Sequence, residues 1–284
     1  MNALLSHKKS PKLHLLGEDG RTRVDINMPF VRKLHTSVDG TAYAPANLTD
    51  TDGTGVSAWE PQRLALHELF NACPNLEELS VSINWLRGGC VVEFSWPPRP
   101  RALELVHSED ATFPPLKSLS LSGYPVEGNE VPFWRDRFPW ERLHSLRLGV
   151  QLEPSSLRLL ELAAGKVINL REFQITSYES LSSSAELDAF LCSFDTLEKL
   201  TAKGAVPSLT SVIHHSNLKH LCLHTIEIPD TERETPGTEQ IEDLDKHFPE
   251  LTTLEIDLDL NSIWVSHDLG PLRLLVLIFV RLVR

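Results

Sequence analysis

His220, Cys222 and His224 occupy alternate positions of one short apolar segment, and alternate residues of an extended strand point to the same side. Three side chains able to bind a transition metal then share one face, with His214 and His215 close enough in sequence to offer a fourth. Zinc asks for tetrahedral closure, which a flat strand rarely supplies. The same residues suggest a nucleophile and base, Cys222 with His220. Nucleophilic catalysis also needs a third group to orient the base and donors for an oxyanion, and no glycine turn beside them provides these. The expectation is therefore that the trio belongs to a row of polar contacts and that no catalytic residue, metal or cofactor is carried. Gly88-Gly89 before Cys90 reads as a turn. Trp85, Tyr124, Tyr178 and Trp264 each follow a candidate strand, where an aromatic side chain either anchors a partner or joins the core.

The elements that position these residues come from a repeat. The pattern L-x-x-L-x-L occurs at Leu76-Leu79-Val81, Leu116-Leu119-Leu121, Leu143-Leu146-Leu148, Leu170-Phe173-Ile175, Leu197-Leu200-Ala202, Leu218-Leu221-Leu223 and Leu251-Leu254-Ile256. The spacing is 27 residues from Leu116 to Leu143, from Leu143 to Leu170 and from Leu170 to Leu197, then 21 to Leu218. These lengths suit a leucine-rich repeat, in which each unit buries one apolar stripe only by stacking on its neighbours. The longer intervals, 40 residues after Leu76 and 33 after Leu218, read as a unit plus an insertion or a degraded copy. Leu103 and Leu105 mark such a copy in the first, and Pro229 to Gly237 an exposed loop in the second. Val31-Leu34-Thr36 and Leu272-Leu275-Leu277 extend the pattern as candidate terminal copies.

Helical signals lie between the strands: Pro61 to Phe70, Ser155 to Leu162, a capping box at Ser183 to Glu186 ahead of Leu187, Phe190 and Leu191, and Gln240 to Phe248. The predicted fold is α/β, a leucine-rich-repeat horseshoe with a parallel concave sheet and helices on the convex side. A doubly wound nucleotide-binding sheet is the competitor, and its G-x-G-x-x-G turn is absent. The predicted organisation is an irregular segment over 1–60 carrying a degraded repeat, then a repeat domain over 61–284 with a loop insertion near 225–238.

Lys and Arg number 27 against 39 Asp and Glu, and the resulting net charge of −12 repels phosphate backbones, so nucleic acid is not an expected partner. The apolar stretch from Leu272 to Val283 is interrupted by Arg273 and Arg281 and falls short of the roughly 20 residues of a spanning helix, so no membrane association is expected. Four separated cysteines without a CxxC pair and an amino terminus without a signal-peptide run suit the cytoplasm or nucleus.

The segments Cys73-Pro74-Asn75-Leu76, Phe113-Pro114-Pro115-Leu116 and Phe248-Pro249-Glu250-Leu251, each a cysteine or aromatic followed by proline and the first leucine, resemble the helix-to-strand junctions of F-box leucine-rich-repeat proteins. Trp140 to Leu148, Phe190 to Leu200 and Asn217 to His224 are similar to the filamentous-fungal members, and the resemblance spans roughly residues 60 to 264. It implies a protein-binding module that selects substrates for a cullin-type ubiquitin ligase. The Leu-Pro-x-Glu-like opening of an F-box is absent from the amino-terminal stretch, so a repeat-only binding protein is the alternative. A metal-dependent or cysteine-based enzyme is the alternative from another class. The outward strand positions form the expected partner surface: Glu78, Ser80 and Ser82; Ser118, Ser120 and Ser122; Ser145 and Arg147; Glu172, Gln174 and Thr176; Lys199, Thr201 and Lys203; His220, Cys222 and His224; Thr253, Glu255 and Asp257. The plainer possibility for each is a solvated sheet face.

Overall fold

The computed structural model describes residues 2–5, 28–39, 70, 72–84, 113–124, 126, 130–150, 157–177, 185–225, 243–244, 246–259 and 277–283, with backbone alone at 2–5, 37–39, 83–84, 130, 150, 258–259 and 277–283. The expectations for Leu103-Leu105, Trp85, Gly88 to Cys90, Tyr178, Pro229 to Gly237 and Trp264 lie outside these residues, as do the Pro61 helix short of Phe70 and the first two residues of the capping box.

The chain is α/β and divides into two compact units, Met1–Pro139 and Trp140–Arg284. In the first, β1 (Asn2–Leu5) runs antiparallel to β2 (Lys33–Asp39), and β3 (Glu78–Asn84) and β4 (Ser118–Ser122) follow in parallel. In the second, β5 (Ser145–Val150), β6 (Glu172–Ser177), β7 (Lys199–Lys203), β8 (His220–His224), β9 (Thr253–Asp259) and β10 (Leu277–Val283) pair in sequence order, all parallel. Short helices connect them: α1 (Glu130–Asp136), a 3-10 turn at Trp140–Arg142, α2 (Arg158–Ala163), α3 (Ala185–Leu191) and α4 (Leu209–Ile213). Residues 243, 244, 246 and 247 are also helical, within the expected Gln240 helix. Among the described residues no helix is long and apolar enough to cross a membrane.

The strands form because alternate apolar side chains share one covered face, and all three apolar positions of all seven L-x-x-L-x-L copies are buried. Pairing joins like to like. Leu79 stands beside Leu119 in the first unit, and Leu146, Phe173, Leu200, Leu221 and Leu254 stand side by side in the second. The candidate copy at Val31 takes its expected register, Leu34 beside Leu79 and Thr36 beside Val81. The candidate copy at Leu272 does not. Ile278 pairs with Leu254 and Val280 with Ile256, so β10 begins at the last residue of the expected motif. From Leu274 to Val280 every residue is apolar, so no alternation marks the register.

The helices cover the strands with apolar faces. In the first unit Phe113 lies 4.4 Å from Phe133, 5.1 Å from Trp134 and 5.0 Å from Phe138, with Tyr124 beside Trp134. Tyr124 is thus a core residue. In the second, Phe173 and Phe190 pack tilted, and Phe190 and Phe194 edge to face, each pair with ring centroids 5.1 Å apart. The expected helix at Ser155 appears as α2 and the one behind the capping box as α3. Gly165, at φ 71°, ends α2 in the left-handed conformation that glycine adopts without strain. The helices α1 and α4 were not among the sequence expectations. Pro132 in the first turn of α1 ahead of buried Phe133 and Trp134, and Ser208 capping α4 by accepting from Ser211 N–H, are the signals they carry.

Candidate functional site

One backbone device sets the register on which the site depends. The carbonyl of the residue after the first leucine of one copy accepts two N–H groups from the next copy. Thus the Arg171 carbonyl takes Glu198 at 2.8 Å and Lys199 at 2.9 Å, the Glu198 carbonyl takes Lys219 and His220, and the Lys219 carbonyl takes Thr252 and Thr253. The Arg32 and Glu77 carbonyls do the same in the first unit. The side chains at these positions alternate in charge. Arg32 and Lys117 flank Glu77 at 3.0 and 3.1 Å, and Arg171 and Lys219 flank Glu198 at 3.5 and 3.1 Å. The hydrogen bond from Lys117 lowers the Glu77 carboxyl below its ordinary pKa, and that from Lys219 does so for Glu198. Both carboxylates are about a third exposed and their partner cations more so, which leaves these ladders screened by solvent and adding little stability.

This register carries the expected surface residues into straight cross-strand rows. In the second unit one row runs Ser145, Glu172, Lys199, His220, Thr253, and the next Arg147, Gln174, Thr201, Cys222, Glu255. A third runs Thr176, Lys203, His224, with Asp257 joined to His224 by a hydrogen bond. In the first unit the rows are Glu78-Ser118, Ser80-Ser120 and Ser82-Ser122. Arg147, Glu172, Lys199, Lys203 and His220 are exposed; Cys222 and Asp257 are buried, at 9 and 4 %.

That burial comes from a polar cluster between β8 and β9. Cys222 Sγ donates to Glu255 Oε2 at 2.8 Å. His224 Nδ1 lies 3.0 Å from Asp257 Oδ1, and His224 Nε2 lies 3.5 Å from Glu255 Oε2. Asp257 Oδ2 accepts from the Thr225 N–H at 2.7 Å and from its hydroxyl at 3.0 Å. Burial alone would raise the Asp257 carboxyl, but the bonds from His224 and Thr225 outweigh it and hold it below the ordinary value. Glu255 is lowered first by the Cys222 bond and then by His224, with Lys203 adding a weaker pull. Cys222 moves the other way: burial first, then the neighbouring Glu255, pushes its thiol up to about 12. At neutral pH it is a protonated thiol, the less nucleophilic form.

The grouping differs from the one expected on a single strand. Next neighbours on one face of a strand are about 6.6 Å apart, whereas adjacent strands are about 4.8 Å apart, so convergence occurs across strands. Cys222 and His224 converge with Glu255, while His220 turns to Thr253 Oγ1 at 3.0 Å. His214 and His215 stand apart from this group. Sequence reasoning placed Glu255 and Asp257 on the face without linking them to Cys222 and His224, and left out Thr225. Aligning Leu218-Leu221 with Leu251-Leu254 supplies the signal, because it sets Cys222 opposite Glu255.

His215 occupies a core slot. Three residues before the first leucine of the seven copies stand Cys73, Phe113, Trp140, Val167, Phe194, His215 and Phe248, all buried except the half-buried Phe113. The His215 ring packs 5.0 Å from Phe194, and among the described residues neither nitrogen makes a well-formed hydrogen bond, the Leu191 and Asp195 backbone exerting only a weak pull toward the protonated form. Burial first, then the neighbouring His214, lowers its pKa to about 4. Cys73, in the same slot, is raised by burial to about 11.

No protein-family model matches this chain, and comparison with curated proteins finds no match.

Proposed function

We propose that this chain is a leucine-rich-repeat horseshoe whose sheet forms the concave wall, and that it binds another protein there through the outward rows from Ser145 to Asp257. The observation that carries the reading is the registered rows themselves: short polar and charged side chains presented in parallel on a rigid sheet, cations at Arg147, Lys199 and Lys203 interleaved with anions at Glu172 and Glu255. Such a surface suits a folded or extended polypeptide of mixed charge, and the −12 net charge disfavours nucleic acid. The resemblance to F-box repeat proteins adds a role, selection of substrates for a cullin-type ubiquitin ligase.

Affinity purification of the full chain from its native cells tests both parts. A partner lost with Arg147→Glu/Lys199→Glu but retained with Arg158→Glu supports the row as the binding surface. Equal recovery with all three counts against it. Co-purification of the cullin adaptor subunit supports the ligase role; a row-dependent partner without the adaptor leaves a repeat-only binding protein.

A further inference from the structure

We propose that Cys222, His224 and Glu255 form a binding site for a divalent transition metal of the zinc class, with Asp257 positioning the His224 ring. The three donor atoms, Sγ, an imidazole nitrogen and a carboxylate oxygen, lie within 4.8 Å of one another. A tetrahedral zinc with ligands at about 2.0–2.3 Å sets its donors roughly 3.3–3.8 Å apart. The Nε2 to Oε2 distance of 3.5 Å already fits. The 2.8 Å from Sγ to Oε2 is a hydrogen bond, which opens when the thiol proton leaves.

The hydrogen-bond chemistry points the same way. Asp257 is ionised and accepts from Nδ1, so that nitrogen carries the ring proton and Nε2 faces Glu255. Glu255 Oε2 is itself an acceptor for Cys222. A neutral imidazole therefore sets two lone-pair atoms face to face, and the contact becomes favourable when Nε2 is protonated or a cation lies between them. A carboxylate on the far nitrogen of a ligating histidine is the usual orienting partner, and Asp257 is itself fixed by two bonds from Thr225. The side chains of Cys222, His224 and Asp257 are largely covered while Glu255 is a third exposed, so water from the Glu255 side completes the four ligands.

Charge balances: thiolate and Glu255 carboxylate neutralise the dication, and Lys203, beside His224 in register, adds a positive charge that acts on Cys222 and Glu255. Binding exchanges one thiol proton for the metal, Cys222 Sγ–H giving up H⁺ to solvent as the Sγ–metal bond forms. Affinity should then rise about tenfold per pH unit over the range in which the free Cys222 is a protonated thiol.

The test is titration of the tag-free full chain with cobalt(II), followed by zinc(II) competition. The expected result is a thiolate-to-cobalt charge-transfer band that saturates at one equivalent and is displaced by zinc. It should vanish in Cys222→Ser and persist in Cys90→Ser and Cys192→Ser. Asp257→Asn should weaken binding about 10- to 100-fold. Absence of the band in the wild-type chain, or its survival in Cys222→Ser, overturns the site. Should Asp257→Asn lose its fold by circular dichroism, Glu255→Gln decides: weaker binding supports the site, and unchanged affinity removes Glu255 and the proposal with it.

Discussion

At the scale of single residues, two polar side chains occupy slots that the other copies fill with apolar ones. His215 sits where Trp140, Val167, Phe194 and Phe248 sit in neighbouring copies, with both ring nitrogens buried and, among the described residues, without a well-formed hydrogen bond. Leaving buried polar atoms unpaired costs about 1–3 kcal/mol, so His215→Phe should raise unfolding stability by an amount in that range, read by urea titration. Thr36 takes the slot of Val81, Leu121 and Ile175 with its hydroxyl buried and unbonded. Thr36→Val keeps the shape and removes the hydroxyl, and should stabilise by about 1 kcal/mol, read by thermal melting. A loss of stability in either variant would mean that the side chain has a polar partner after all.

At the scale of elements, the short helices are held less by their own propensity than by what they cover and by a few polar ties. Asp188 on α3 accepts the Ser208 N–H at 2.8 Å and the buried Ser211 hydroxyl at 2.7 Å, linking it to α4. With five residues, α4 cannot persist alone. Asp188→Ala should cost about 1–3 kcal/mol and speed amide hydrogen exchange at Val212 and Ile213, leaving β6 and β7 protected. If exchange speeds up at neither residue, or rises equally in α4, β6 and β7, the tie is not local. The brevity of α4 matches the 21-residue interval that contains it, six residues shorter than the regular 27.

At the scale of the whole molecule, acid should unfold this protein in two stages. His215 takes up a proton near its ordinary value of 6.5 when unfolded but near 4 when folded. Between those values the unfolded chain holds more protons, so this contribution is complete above pH 6.5 and is lost as pH falls toward 4. Asp257 and Glu255 have lowered folded values, so their contribution is present above the ordinary carboxylate range and disappears as pH drops through it. Melting temperature should therefore decline from pH 7 to 4 and more steeply below. In His215→Phe the upper limb should flatten while the lower limb stays. A wild-type melting temperature constant from pH 7 to 4.5 would show that His215 titrates alike in both states.

The alternation of apolar positions and its period can be read from the residues alone. Those two quantities dictate which side chains a strand can bury, and Leu76 through Ile256 are buried copy by copy. The outward rows were legible for the same reason, since in a parallel stack the register follows once the leucines are aligned. The terminal strand was not legible, because seven consecutive apolar residues from Leu274 to Val280 carry no alternation to choose a face. Which polar residues meet depends on how the strands are laid side by side. Cys222 and Glu255 lie 33 residues apart in the chain, and they touch because adjacent strands are closer to each other than alternate residues along one strand. The same geometry drew His220 toward Thr253 and sent His215 into the core, separating histidines that stand within ten residues of one another in the chain.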